Sequence, residues 1–387
     1  MKYFMIDNLV FGGAERQASY LINNNIGIDQ IILIEDERKY ELVTQKPIIA
    51  LNPRILKLYQ RPIEDMRASN KLAKLFTPTD IVISFLERSN IMNVKSALKS
   101  QHKTIISVRN YLSEKYKSAK YFWRVGQIRK YYPLADLIVV NSLGSKKDLI
   151  TNFDIPEEKI KVIYNCIDLD KVELLKNQKI EEKYEHIFEF PVLINIGSLT
   201  PQKAQQQLIE SFKLVKKEYP GYKLVIIGTG KLEKELMKTI EKLNLKGEVY
   251  LLGNVKNPFK FLNKSEIFVL NSNFEGFPNV LLEALAVGVP VISKNCLSGP
   301  AEMLEVPTYD NEDILLTKYG YLYPKKDNNQ INYYEEEKMY LFESISNLID
   351  MKENNKYDYE CISANCIRRA RDFSKQKIMR QWSELLK

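Results

Sequence analysis

Glu275 and Glu283 stand eight residues apart in the run Ile267-Phe-Val-Leu-Asn-Ser-Asn-Phe-Glu-Gly-Phe-Pro-Asn-Val-Leu-Leu-Glu-Ala-Leu285. An apolar stretch of strand length enters a loop carrying Glu275, Gly276 and Pro278, and a helical pattern follows with Glu283 on it. The order places a carboxylate and backbone N–H groups at a helix start, beyond the end of a parallel strand, where ligands of open α/β sheets bind. Helix starts favour phosphate through orphan N–H groups and the positive end of the dipole. Amides for phosphate beside carboxylates for hydroxyls suit a nucleotide sugar. The spacing spans about two turns if both residues were helical, and Glu275 is in the loop, so this is not the ~5 Å carboxylate pair of a retaining glycosidase. Taken without the surrounding motif, Glu283 reads as a solvent-facing helical glutamate.

Three further glycine loops share that logic. Gly12-Gly13 opens the first helix, Gly197-Ser198-Leu199-Thr200-Pro201-Gln202-Lys203 follows a second-half strand, and Gly228-Thr229-Gly230 follows the next. Glycine after a strand permits a tight turn or close ligand approach, and Lys203 offers a compact charge for a leaving diphosphate. Any one junction reads more readily as a structural turn, and Lys203 alone reads equally as a solvated lysine; four in one order are more specific.

Alternating elements must position these loops. Strands are predicted at Lys2–Asp7, Gln30–Ile34, Asp80–Phe85, Thr104–Val108, Asp136–Asn141 and Lys161–Tyr164, then Val192–Gly197, Tyr222–Gly228, Val249–Leu252, Ile267–Leu270 and Pro290–Ser293, with helical patterns between them. That alternation predicts βαβ units and parallel sheet. A polar stretch from Leu169 to Tyr184 breaks the rhythm, and 387 residues exceed one ordinary core. The expected architecture is α/β: two doubly wound Rossmann-like domains with a cleft between them, residues 1–168 and 169–366, and a C-terminal helix, 367–387, packing back on the first. With 45% apolar and 27% charged residues the composition is globular, and no apolar run reaches the ~20 residues of a membrane span. Asp7 interrupts the N-terminal apolar stretch too early for a signal peptide. Four scattered cysteines and two histidines, His102 and His186, offer no disulfide framework, metal cluster or histidine dyad, and fit a reducing cytoplasm.

The second half resembles the nucleotide-sugar-binding domain of the retaining glycosyltransferases of family 4, of GT-B fold. The matching motifs are Gly197–Lys203, Leu224–Gly230, Leu251-Leu252-Gly253, Glu275-x7-Glu283 and Tyr319-Gly320-Tyr321-Leu322, joined in the first half by Gly12-Gly13-Ala14-Glu15-Arg16 and Asn165-Cys166-Ile167-Asp168. The resemblance implies that Glu275 bonds donor-sugar hydroxyls, that Gly276, Phe277, Pro278, Asn279 and Val280 hold sugar and phosphate through their backbone, and that Glu283 accepts from the ribose. It implies that Lys203 stabilises the departing nucleotide diphosphate, that Gly228 and Gly253 line the donor, and that Gly12 and Gly13 approach the phosphates across the cleft. Two departures stand out: Ser198 where the family commonly has arginine, and Arg109 where many members have a histidine. Arg109 takes a phosphate or acceptor role, or forms a surface salt bridge. Attack on the face the diphosphate leaves is the family's usual account, with no enzyme nucleophile.

The segment Lys115 to Pro133 holds six basic residues, no acids and interleaved aromatics. Arg16, Lys115, Lys117, Lys120, Trp123 and Arg124 are assigned to an acceptor or anionic membrane face; the alternative is that Tyr121, Phe122 and Trp123 pack on the sheet. No recognition fold for nucleic acid surrounds them. The only Asp-x-Asp, Asp168-Leu169-Asp170, reads as linker, so no cofactor and no catalytic metal are expected. The whole reads as a cytoplasmic transferase, peripheral on the inner face of the plasma membrane, moving a sugar from a UDP-sugar to a lipid-linked or polysaccharide acceptor. Leu297-Ser298-Gly299-Pro300-Ala301-Glu302 is similar to a variant of N-acetylhexosamine transferases and leans the donor toward UDP-N-acetylgalactosamine. An NAD-dependent oxidoreductase or epimerase is the alternative, weakened by the incomplete glycine fingerprint and by the absence of a Tyr-x3-Lys beside a plausible cofactor site; a non-catalytic nucleotide- or glycan-binding protein is another.

Overall fold

The computed structural model describes residues 1–387 apart from 11, 25, 41, 53–55, 58–60, 308–311 and 327–331. Its contacts divide the chain into two units, Met1–Cys166 with Lys375–Lys387, and Ile167–Ser374.

In the first unit β1 (Lys2–Ile6), β2 (Gln30–Glu35), β3 (Ile48–Asn52), β4 (Ile81–Phe85), β5 (Lys103–Val108), β6 (Leu137–Val140) and β7 (Ile160–Val162) form one parallel sheet, ordered β3-β2-β1-β4-β5-β6-β7. Most strands are apolar throughout because helices cover both faces. Sequence reading missed β3, an edge strand whose residues are only half-buried and which Pro47 and Pro53 bracket; proline in a sheet is confined to such edges.

In the second unit β8 (Val192–Ile196), β9 (Lys223–Ile227), β10 (Val249–Gly253), β11 (Ile267–Leu270), β12 (Val291–Lys294), β13 (Leu315–Thr317) and β14 (Gly320–Tyr323) are ordered β10-β9-β8-β11-β12-β14-β13. All pair in parallel except β13 with β14. The three-residue β13 was also missed; its antiparallel return gives no βαβ signal.

The segment read as linker is partly helical. Asp168 caps the helix Leu169–Lys176, its carboxylate accepting from the Lys171 amide at 3.2 Å. The helix Lys356–Ala370 stays with the second unit, burying Ile362, Cys366 and Ala370, and the segment grouped with the first unit starts at Lys375 rather than 367. The final helix, Lys375–Leu385, sets Ile378, Met379 and Trp382 on one stripe, and Trp382 lies 5.7 Å from the Phe85 ring in the core of β1 and β4.

The strand order of the first sheet reverses between β1 and β4, and the parallel part of the second reverses between β8 and β11. Carboxyl ends of strands diverge there and leave room for a ligand.

Candidate functional site

In the second unit, the reversal lies beside the loops that follow β8 and β11. The chain leaves β8 through Gly197–Thr200, makes a single 3₁₀ turn at Pro201–Lys203, and reverses at Ala204, whose φ of 50° puts a non-glycine residue in the left-handed region. The Lys203 ammonium meets Glu275 Oε1 at 2.5 Å, and Glu275 is 7% exposed. The two loops are stitched through backbone carbonyls: the Asn273 amide donates to Gln202 O at 2.7 Å, and two side chains, Gln202 Nε2 and Asn271 Nδ2, donate to Phe274 O at 2.8 Å and to Ala204 O at 2.9 Å. The lysine and the glutamate are therefore held as a unit.

The helix Asn279–Val287 starts four residues after Glu275, with Pro278 at its N-cap. Its first turn presents the positive dipole end beside Glu275. Phe277 is buried and packs edge-on to Phe373 at 5.2 Å, which fixes the entry of the chain into the helix. Asn279 and Val280 are half-buried. Glu283 is 1% exposed, which overturns the solvent-facing alternative.

The loops after β8 and β9 stack main chain on main chain. The Leu199 amide donates to Thr229 O at 3.0 Å and the Gly228 amide to Gly253 O at 2.8 Å. Gly228 has φ +145° and no room: a Cβ there would sit 2.0 Å from Gly197 O. Gly299 meets a similar limit, its Cβ position 2.7 Å from Gly276 O, and its amide donates to that oxygen at 2.9 Å. Ser198 is exposed at the loop tip, and its carbonyl accepts from Gln205 Nε2 at 3.2 Å. Lys203, Ser198, Gly228, Gly253, Glu275–Val280 and Glu283 all lie on this unit, most at the carboxyl ends of β8, β9, β10 and β11.

In the first unit Gly12 precedes, and Gly13 opens, the helix Gly13–Asn23; Gly12 O accepts from the half-buried Arg16's amide at 3.1 Å. Leu86 after β4 has φ 75°, a strained conformation for leucine. Arg109, after β5, contacts Ser107 Oγ at 3.4 Å and Asn165 Oδ1, and lies 5.0 Å from the centre of the Phe85 ring. Those partners are neutral, so among the described residues no salt bridge to it is formed; burial lowers its pKa to about 10, and it stays protonated at neutral pH.

The basic segment divides. Lys115 is bonded to both oxygens of Glu87 at 3.0 Å; burial opposes its charge, but the Glu87 carboxylate holds its pKa above the ordinary lysine value. It is therefore not a free surface cation, because a short helix, Leu112–Lys115, turns it toward the loop after β4. Lys117 pairs with Glu114 at 3.4 Å yet stays exposed, as do Lys120, Arg129 and Lys130. Arg124 is half-buried, 5.6 Å from the centre of the Trp123 ring. Phe122 is 76% and Trp123 55% exposed, which overturns their packing on the sheet.

Asp7, after β1, accepts from Ser89 Oγ at 2.5 Å and the Ser89 amide at 3.1 Å, and desolvation raises its pKa to about 6. A raised carboxylate pKa costs stability once ionised, so the loss develops as pH rises from the unfolded value near 4 through 6. Asp7→Asn is expected to match the parent near pH 4 and to exceed it by about 1–2 kcal/mol at pH 7.5, read by urea denaturation at both; an unchanging difference would refute this.

Sequence reading missed the residues that link these loops from behind: Gln202, Asn271, Asn273, Gln207, Lys294 and Glu337. Lys294 ending the apolar strand Val291–Lys294 was the available signal, since lysine is almost never fully buried unless paired.

Models of known families match both halves: Glycosyltransferase Family 4 over residues 11–171 and Glycosyl transferases group 1 over 176–331. An uncharacterized glycosyltransferase of Methanocaldococcus jannaschii is 34% identical over 94% of this chain and 89% of its own. The N-acetylgalactosamine-N,N'-diacetylbacillosaminyl-diphospho-undecaprenol 4-alpha-N-acetylgalactosaminyltransferase of Campylobacter jejuni is 32% identical over 77% of this chain and 81% of its own. Among solved structures, Anabaena HepE in complex with UDP and glucose matches 100% of this chain and 99% of its own, with a TM-score of 0.77 at 19% identity. That likeness bears out the expected α/β architecture of two wound sheets.

Proposed function

The chain belongs to the glycosyltransferases, with a family 4 and a group 1 half, and from that premise we propose that it moves an N-acetylhexosamine, N-acetylgalactosamine first, from a UDP-sugar to a lipid-linked diphospho-oligosaccharide or polysaccharide, with retention at the anomeric carbon. Membership sets aside the oxidoreductase and non-catalytic readings. The observation that carries the proposal is the Lys203–Glu275 pair between the β8 and β11 ends, beside the start of the helix Asn279–Val287. The relative from Campylobacter, which acts with N-acetylgalactosamine on a diphospho-undecaprenol acceptor by its name, supports the choice of sugar and acceptor.

In this reading the bond from the anomeric carbon to the diphosphate breaks while a bond to the acceptor oxygen forms on the same face, and the acceptor proton goes to the departing diphosphate oxygen. The chain supplies position and charge: Glu275 engages sugar hydroxyls, Glu283 the ribose, and Lys203 with the helix-start amides takes up the leaving charge. Gly197 gives the lysine stem room, its Cβ position being 3.4 Å from the Lys203 methylenes. A screen of UDP-N-acetylgalactosamine, UDP-N-acetylglucosamine, UDP-glucose and GDP-mannose, each in excess chelator, is expected to show turnover of the first. Product of inverted configuration, turnover of GDP-mannose alone, or a strict need for added Mg or Mn would overturn the respective part.

The proposal includes an anionic membrane face. Tyr121, Phe122 and Trp123 are exposed beside exposed Lys117, Lys120, Arg129 and Lys130, an arrangement that places aromatics in a headgroup layer with cations around them. A lipid-linked acceptor would be met at the inner face of the plasma membrane. Phe122→Ser/Trp123→Ser is expected to abolish flotation with phosphatidylglycerol-containing vesicles while leaving donor hydrolysis intact; flotation equal to the parent would refute the membrane face.

A further inference from the structure

Behind the Lys203 and Glu275 loops lies a buried charged strut. Lys294, at the end of β12, is fully buried, and its ammonium spends its three donors on Glu337 Oε2 at 2.8 Å, Gln207 Oε1 at 3.1 Å and Asn273 Oδ1 at 3.2 Å. Glu337, on the helix Tyr333–Asn354, is equally buried and also accepts from the Lys326 amide at 2.9 Å. Gln207, on the helix Gln205–Glu218, spans the network, accepting from Asn271 Nδ2 at 3.3 Å and donating to Tyr334 O at 3.0 Å. Tyr323 at the end of β14 bonds Asn271 from the other side.

Asn271 and Asn273 are where this network touches the loops. Both belong to the turn that delivers Glu275, and both reach the Lys203 turn: Asn271 through Ala204 O, Asn273 through Gln202 O and through Pro201 O at 3.0 Å. The turn itself offers no apolar side chain to the core, since the residues from Asn271 to Asn273 are all polar.

We infer that Lys294 and Glu337 are positioning residues for sugar transfer, which set the separation and angle of Lys203 and Glu275 by holding Asn271 and Asn273 from beneath. The inference rests on the reading that the Glu275 loop is the donor loop. A buried ion pair is replaceable without loss of stability when apolar residues of similar volume fill its place. Its retention here goes to geometry: a lysine offers three directed bonds to three different elements, which no apolar filler reproduces.

The test is the double variant Lys294→Met/Glu337→Met in the full chain. It is expected to unfold within a few degrees of the parent, while amide hydrogen exchange at 271–276 and 202–204 quickens about tenfold or more and amides of β8 and β11 keep their protection. The kcat for sugar transfer is expected to fall about tenfold or more with donor KM changed less, since the loss is in alignment rather than in a contact with donor. Unchanged exchange in both turns would overturn the inference. Should the double variant not fold, Asn273→Ala decides: it removes the direct bond from Lys294 to the loop without stranding a charge, and exchange at 202–204 must quicken or the inference falls. Exchange needs no turnover, so a protein inert toward every donor but responsive in exchange would overturn the proposed function and leave the strut standing, whereas transfer and exchange both at parental values would remove the strut alone.

Discussion

Lys203→Ala is expected to lower kcat for sugar transfer by about 10²–10³-fold, a transition-state loss of about 3–4 kcal/mol of the size found when one preorganised charge-stabilising donor is removed. The donor KM should change far less, because in the proposed reaction the charge that Lys203 meets grows as the diphosphate departs. Glu275→Gln keeps the loop's volume but removes the charge that holds the ammonium at 2.5 Å. A comparable loss in kcat is expected there, with weaker donor binding added because the proposed contact with a sugar hydroxyl goes as well. The pair acts as a unit, so the double variant should fall little below the worse single one. Thermal midpoints must be recorded alongside, since each single change strands a partner in a mostly buried place. A double variant transferring sugar at the parental rate would remove the donor site from this loop altogether.

Gly228→Ala is expected to destabilise the second unit by about 3–5 kcal/mol, the sum of a left-side backbone that an L-residue rarely adopts and overpacking against main chain. With φ at +145° and the Gly197 carbonyl 2.0 Å from the added methyl, relief requires one of the two stacked loops to move. Moving the loop after β8 displaces Leu199, whose amide bonds Thr229 O, and with it the chain leading to Lys203. Activity should therefore fall in the fraction that stays folded. Urea denaturation with a donor-hydrolysis assay reads both; a variant within 1 kcal/mol of the parent would show that the stacking is loose.

The alternation of strands and helices, and with it the two wound sheets, was legible because period and composition act locally. Near-continuous apolar runs such as Val192–Ile196 and Ile267–Leu270 suit strands buried on both faces, and the helical spacing of Ala204, Leu208, Phe212 and Val215 marks a helix on one face. The strand-loop-helix order around Glu275 was legible for the same reason, as a strand, a loop with glycine and proline, and a helix fall within one short run. Edge strands were not: Ile48–Asn52 is half-buried between prolines, and Leu315–Thr317 is three residues long. The basic segment was half legible, since composition counts Lys115 with its neighbours although Glu87, at the start of the helix Glu87–Ser100, claims it.

By itself the sequence determined that two α/β halves follow one another, that Lys203 and Glu275 follow strands, and that a carboxylate, an amide-rich turn and an ammonium are present in the second half. Tertiary structure alone decided that Lys203 and Glu275 touch, although 72 residues separate them, because the pairing of β11 beside β8 and not its sequence neighbour β10 brings the two loops together. It decided too that Glu283 is buried, that Lys115 is occupied, and that Lys294 and Glu337 meet beneath the site. Burial and pairing between distant segments are properties of the packed chain, fixed by which faces the sheets cover, and no local pattern of residue types encodes them.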